Sequence, residues 1–327
     1  MPRLWRRSLE QQSQVHQELT IPQVIEAEFK SAGFTDDTDY LFNVSTEVKD
    51  ARKIDPAGEY PEWEYYIQHR ESDLAFMQRS MEREGISFYF EHNQENESDK
   101  KEKIIVCDAA THFTAVEGGP VDVPFNTTGQ GGQTATPSEN DDTWHSQEAI
   151  TSLTTRMTPI AGEYRNCDYN WHTPSKSLLG EYELEANAVF GQMYEYGTHH
   201  KTSEEGAVYA EIRSQEAHCR QMQIVGKSNC KHFQVGSTFN MTGHFNEELN
   251  TEYLLIEIRD KGSQPVQVTT GAKGEYEMTF VAIPTKVAKA GSNDRTETIV
   301  FRPRRITPKP MVPGIVNAKI DDSSSGL

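Results

Sequence analysis

The densest grouping of metal-ligand residue types in this chain is His218, Cys219, Cys230 and His232, all within a 15-residue window. A zinc site needs paired ligands a few positions apart on each side of the ion. His218 and Cys219 are adjacent, and adjacent side chains on a helix project about 100° apart. The four therefore read as helix-face and strand residues, and no metal is expected. His199 and His200, beside Lys201, read as an exposed loop pair. Glycoside cleavage needs two placed carboxylates, but with 50 acidic residues a close pair carries little information. Glu82 and Glu84 fall on the expected solvent side of a helix. The run Gly129-Gln-Gly-Gly132 lacks the Lys-Ser/Thr that a phosphate-cradling loop requires, and no GxSxG or HExxH pattern occurs. The residues give no positive reason for an enzyme, and neither a catalytic set nor a cofactor site is expected. Cys107, Cys167, Cys219 and Cys230 are irregularly spaced and read as buried or incidental thiols in a reducing compartment.

The elements that would position these residues are legible in part. In TIPQVIEAEFKSAG, Thr20 can cap, Pro22 sits in the first turn and Gly33 follows the end, with Ile21, Val24, Ile25 and Phe29 on one face. Residues 35–61 are polar and read as a loop. WEYYIQHR reads as a strand. ESDLAFMQRSMEREG reads as a helix capped by Ser72, with Asp73 in its first turn, a Leu74, Met77, Met81 stripe and a stop at Gly85. ISFYFEH and KIIVCD form a hairpin. Residues 117–146 are rich in Gly, Thr, Pro and Asn and read as a long, exposed, mobile loop. Short strands are expected from 146 to 169. SLLGEYELEANAVFG alternates poorly and takes no assignment. EEGAVYAEIRSQEAHCRQMQ reads as a helix with Val208, Ile212 and Cys219 on one face. MQIVGKS, GSTFNMTGH, EYLLIEIRD and EYEMTFVAIP then predict an antiparallel barrel or curled sheet. FRPRRITPKPMVPGI is a proline-rich extended connector.

Composition excludes some partners. Thirty-two Lys and Arg against 50 Asp and Glu leave a formal charge of −18, which repels nucleic acid and anionic lipid. No apolar run of membrane-spanning length occurs, so membrane insertion by this segment is not expected. The opening MPRLWRRSLEQQS lacks the apolar region of a secretory signal.

Three stretches carry a resemblance. EYPEWEYYIQHRESDLAFMQRSMEREGISFYFEH, VGKSNCKHFQVGSTFNMTGHFNEELNTEYLLIEIRDKG and TFVAIPTKV followed by FRPRRITPKPMVPGI resemble, in the same order, the VgrG spike proteins of type VI secretion systems. These in turn resemble the baseplate hub of contractile phage tails. The resemblance implies an α+β, mostly antiparallel β fold, with phage-hub-like tube β-barrel domains and an inserted α/β portion. It also implies a division of the chain: 1–20 as the trailing part of a first tube barrel, 21–165 as the α/β hub portion, 166–300 as a second tube-like barrel with a helix, and 301–327 as a linker. The first barrel's beginning, and the OB-fold and needle that follow in the family, are expected to lie outside the chain. Trp5 and Leu9 would then be core residues of a strand without its partners, and self-association of the chain alone would be incomplete.

The implied function is the structural hub of a trimeric spike, matching a hexameric tail tube to a trimeric needle and helping deliver effectors. The alternatives are the hub of a phage tail or of an extracellular contractile injection device and, from another class, a tail-associated cell-wall hydrolase. Implied partners are two further copies in a homotrimer, the tube protein, baseplate proteins, and a spike-tip protein and effectors reached through a C-terminal part. Assembly in the bacterial cytoplasm and ejection by the machine follow from the same resemblance. Ser72 and Asp73 read as helix-capping residues, and Gly236, Gly243 and Asn250 as turn and bulge positions. Arg302, Arg304 and Arg305 are either contacts to neighbouring chains or a solvated basic linker.

Overall fold

A computed structural model of the protein describes residues 2–44, 60–92, 102–126, 148–186, 189–263, 275–288, 296–311 and 314. Residues 127–146 of the expected polar loop lie outside these residues, as does the Gly129–Gly132 run. The chain opens with a 3-10 turn, Arg3–Ser8. Trp5 and Leu9 are therefore not strand residues. They lie in and just after this turn and are exposed, while Leu4 enters the core. The local reason is the backbone: Trp5 N–H donates to Pro2 O and Leu9 N–H to Arg6 O, which coils the segment.

An α/β unit follows: β1 (Gln11–Leu19), α1 (Ile21–Ser31), β2 (Tyr40–Asn43), β3 (Trp63–Ser72), α2 (Asp73–Glu84), β4 (Ser87–His92) and β5 (Glu102–Cys107). β1 pairs antiparallel with β3, and β5 lies between a parallel β2 and an antiparallel β4. β2 lies inside the stretch expected to be loop. Its four residues are too few to show alternation, and the parallel partner β5 supplies the pairing. α1 starts where expected: Thr20 N–H donates to Gln23 Oε1 at 2.8 Å, and Ile21, Val24, Ile25 and Phe29 are buried. In α2 the Ser72 hydroxyl accepts from Ala75 N–H, and Gly85 takes the left-handed conformation at φ 71°. The helices share a core with Tyr40, Phe76, Met77 and Ile104. Beneath it runs a polar seam. Arg7 forms ion pairs with Asp73 (2.6 Å) and Glu28 (3.0 Å), and the Gln12 and Gln68 amides donate to Asp73 Oδ1. Asp73 thus does more than complement the helix dipole: it is fully buried and joins the 3-10 turn, β1, β3 and α2.

The second part begins with β6 (Thr114–Ala115), β7 (Asp122–Pro124) and β8 (Ile150–Met157). It continues through β9 (Glu163–Cys167), β10 (Gly180–Glu183), β11 (Gln192–Tyr196) and α3 (Ser203–His218), then β12 (Met222–Ser228), β13 (Ser237–Thr242), β14 (Glu252–Ser263), β15 (Glu275–Pro284), β16 (Lys286–Ala288) and β17 (Thr296–Thr298). The large sheet has the order β6-β13-β14-β15-β12-β8, with β7 also on β13. It closes into a barrel at one end: Phe125 N–H donates to Thr242 O and Asn126 N–H to Ile150 O, both at 2.8 Å. Alternate residues fill the interior, among them Val123, Ile150, Ile224, Phe239, Tyr253 and Phe280. Gly226 is small because Phe280 lies across it; a Cβ there would stand 2.4 Å from the ring. The barrel strands come from both sides of residue 165. The intervening residues form a separate sheet, β10-β9-β11, in which β11 runs parallel to β9 and α3 packs on the face.

The stretch left unassigned in the sequence contains β10, and its logic is a glycine contact. Gly180 lies against Gly206 of α3 so closely that a Cβ on Gly180 would fall 2.0 Å from the Gly206 carbonyl carbon. Backbone meets backbone, so nothing flexible can yield. Gly180→Ala is expected to lower stability by about 1–3 kcal/mol, measured as a shift in urea midpoint with unchanged m-value; an unchanged midpoint would refute this packing.

Candidate docking surface around the end of helix α2

The last carbonyls of a helix lack partners within the helix. Those of α2 are buried and are met by two guanidinium groups. Arg213 of α3 donates Nη2 to Glu82 O and Arg83 O, each at 2.9 Å. Arg302 donates Nη1 to Gly85 O (3.0 Å) and Asp108 O (2.7 Å), and Nε to the Gln215 side chain (2.8 Å). Cations at this end also complement the helix dipole. Burial, then the nearby Arg305, pushes the Arg213 pKa down to about 10. Arg302 is thus a buried clamp rather than a solvated linker residue.

Glu82 and Glu84 differ from the expectation in the same way. Both are buried. Glu84 accepts from the Tyr209 hydroxyl at 2.9 Å, and burial followed by the charge of Glu84 raises the Tyr209 pKa well above its usual value. Glu82 accepts from Ile306 N–H, Thr307 N–H and the Thr307 hydroxyl at 2.7–3.1 Å. The proline-rich segment is therefore strapped down by side chains. Arg305 adds a two-pronged pair with Glu195 of β11 (2.8 and 2.6 Å), while its N–H reaches Glu216. Burial alone would raise the Glu195 carboxyl, but Arg305, with Arg213 and Lys309 nearby, holds it below the ordinary range.

Two clefts flank the Arg305–Glu195 pair. The larger, about 330 Å³, lies between α3, the β9–β11 sheet and the strap. The smaller, about 220 Å³, lies between α2, α3 and the strap. Eight of the 32 Lys and Arg residues line them, against three carboxylates: Glu82, Glu195 and Glu216. Some of these cations have carboxylate partners at the cleft walls, such as Arg79 with Glu71 and Arg165 with Glu163. Two exposed apolar side chains of β11, Met193 and Tyr194, line the larger cleft.

The metal-ligand types do not converge. Cys219 Sγ faces Glu216 O and Arg302 O at the end of α3, whereas Cys230 lies in the barrel core and His232 is half-exposed beside Glu148. Among the described residues no group of three His, Cys, Asp or Glu side chains is placed to hold a metal. His200 is not an exposed loop residue: it is buried, with Nδ1 on the Thr198 hydroxyl and Nε2 on Leu178 O, because Gly206 leaves room for its ring. Gly236 and Gly243 take positive φ, and Asn250 braces the turn from its side chain to both N–H and C=O of His244. Arg213, Tyr209 and Glu195 escaped the sequence reading. For Tyr209 and Arg213 the available signal was a polar or charged side chain inside an expected helix; Glu195 lies on β11 and had none.

The closed barrel, the α/β unit and a surface built of clefts and exposed aromatics define an interaction scaffold with the fold of contractile-tail hub proteins. That fold is shown by the c3393 protein of E. coli, described as a type VI secretion component structurally similar to phage T4 tail proteins gp27 and gp5. The match has a TM-score of 0.59 at 19% identity and covers 96% of this chain and 58% of that one. A 43 kDa prophage MuSo2 tail protein from Shewanella oneidensis matches with a TM-score of 0.50 at 8% identity over 83% of this chain and 66% of its own. The chain belongs to the phage tail baseplate hub (GPD) family, whose model matches residues 1–299. It is 25% identical, over 96% of its length, to the type VI secretion system spike protein VgrG1b of Pseudomonas aeruginosa. It is 24% identical, over 81%, to the actin cross-linking toxin VgrG1 of Vibrio cholerae. It spans 37% and 21% of the lengths of these two relatives. No helix among the described residues is long and apolar enough to cross a membrane.

Two outcomes follow from this geometry. Arg302→Leu leaves Gly85 O and Asp108 O buried without their donor. It should cost about 3 kcal/mol, read from chemical denaturation, and Glu82→Ala should speed tryptic cleavage after Arg304 and Arg305 while leaving the barrel intact. Equal cleavage rates would show that the strap is held otherwise. His218, at the end of α3, has its pKa lowered from 6.5 by burial, opposed by Glu297. The unfolded chain then binds the proton first, so this contribution to stability is present above the unfolded pKa of about 6.5 and declines as pH falls below it. A plot of Tm between pH 8 and pH 5 should be flatter for His218→Asn than for the parent chain.

Proposed function

We propose that this chain is the hub part of a trimeric spike in a contractile injection machine of the type VI secretion kind. In this reading its barrels face a hexameric tail tube, and its proline-rich strap leads toward a needle. The observation that carries the reading is the closed β6–β8/β12–β15 barrel together with the family match over residues 1–299. A small barrel packed by its own side chains gives a stiff ring segment without a lumen for chemistry. Three copies, each offering two tube-facing surfaces, can match a six-fold ring. The strap supports the mechanical part. Glu82, Glu195 and Arg302 fix its course, so force on the exit segment is carried into α2 and α3 rather than into a free linker.

In this reading the protein is structural rather than catalytic. Its partners are two further copies, the tube protein and baseplate proteins, with effectors and a spike-tip protein joining through a C-terminal part. It is assembled in the bacterial cytoplasm and ejected. The test is reconstitution with a hexameric tail-tube protein of a type VI system. Three chains per tube ring, capping one end of the tube in electron micrographs, are expected. Binding along the tube sides, another ratio, or no binding would overturn the reading.

A further inference from the structure

We infer that the two clefts beside the strap, with the open edge of β11, form a docking groove for an extended acidic segment of a partner protein. The inference does not depend on the hub reading, since it rests on local charge and strand geometry. β11 is the last strand of the β10-β9-β11 sheet and pairs only with β9 among the described residues. Its outer edge therefore offers backbone donors and acceptors over five residues, roughly 16 Å. A polypeptide can meet them as an added strand.

The charge around that edge selects the occupant. Arg220, Arg304 and Lys309 line the clefts, and none has a carboxylate ion-pair partner among the described residues. Arg220 spends its donors on Glu216 O and Arg302 O, while Arg304 and Lys309 are exposed. The carboxylates beside them are already held: Glu195 by Arg305, and Glu216 by Arg213 and the Arg305 N–H. Partial burial and then the charge of Arg83 lower the Lys309 pKa, opposed by Glu195, with Arg305 and Arg79 adding to the lowering. In a chain of net charge −18, this is where an acidic segment is attracted rather than repelled. Met193 and Tyr194, exposed on β11, give that segment apolar contacts between its charges. A small anion would use the cations but neither the strand edge nor these side chains.

The experiment uses the full chain and a fluorescein-labelled peptide of about eight residues alternating Glu and Val, followed by anisotropy at about 0.1 M salt. Saturable binding is expected, with amide exchange slowed at Gln192–Tyr196. Arg304→Glu combined with Lys309→Glu, both at exposed side chains, should weaken it by about tenfold or more at unchanged circular dichroism. The same peptide N-methylated at its Val nitrogens should weaken comparably, because it lacks strand donors. The inference is overturned by absence of saturable binding, by unaltered affinity in the double variant, or by equal binding of the N-methylated peptide. Equal affinity for inorganic polyphosphate or a single-stranded oligonucleotide would reduce the groove to a general anion site. Loss of self-association in the double variant, without peptide binding by the parent chain, would assign the groove to a second copy.

Discussion

Two arginines, Arg213 and Arg302, end helix α2, and the assembly of the molecule depends on that contact. The carbonyls they cap belong to the α/β unit. Arg213 belongs to the helix that packs on the β9–β11 sheet, and Arg302 follows the barrel strands in the chain. Gly85 sits at the centre, and a Cβ there would lie 2.8 Å from Ile212 and 2.9 Å from Arg302. The left-handed turn that ends α2 and the close approach of α3 are therefore one requirement, met only by glycine. A buried guanidinium with all its hydrogen bonds made is specific in direction where an apolar contact is not. The three parts are thereby held in one arrangement.

The two cores are built on different physics. The barrel interior is apolar, with Ile150, Ile224, Phe239, Tyr253, Leu255 and Phe280 fully buried. It needs closure rather than directional bonds, and the Phe125 and Asn126 amides supply the closure. The α/β unit combines an apolar core with the buried Arg7, Asp73 and Glu28 seam. Removing one member of that seam strands a charge in a dry site, which costs far more than the intact group contributes. The polar seam therefore sets how the opening turn and β1 sit on the helices.

The acidic surface and the basic clefts are part of the same design. A charge of −18 keeps most of the exterior repulsive to nucleic acid and anionic lipid. Eight of the 32 Lys and Arg residues gather where helices end and where the strap crosses. Some of them cap carbonyls, and others face solvent near the outer edge of β11. Structural and docking roles thus draw on one cluster, divided by burial: Arg213 and Arg302 lie inside, Arg304 and Lys309 outside.

Local patterns in the chain were sufficient for α1, α2, the β4–β5 hairpin and the barrel strands β12–β15. Their caps, stops and alternation are short-range features, and the long motifs carried the family and its fold. The sequence by itself could not reveal β2, β10 or the surroundings of α3. β2 depends on a parallel partner distant in the chain, β10 on a glycine contact with α3, and α3 is buried on several sides by Tyr209, Arg213 and His218 instead of along one stripe. Glu82, Glu84 and Arg302 looked like surface charges for the same reason. Whether a charge is solvated or clamped depends on which carbonyls and hydroxyls meet it, and those partners lie more than a hundred residues away in the chain. Only tertiary structure brings them together.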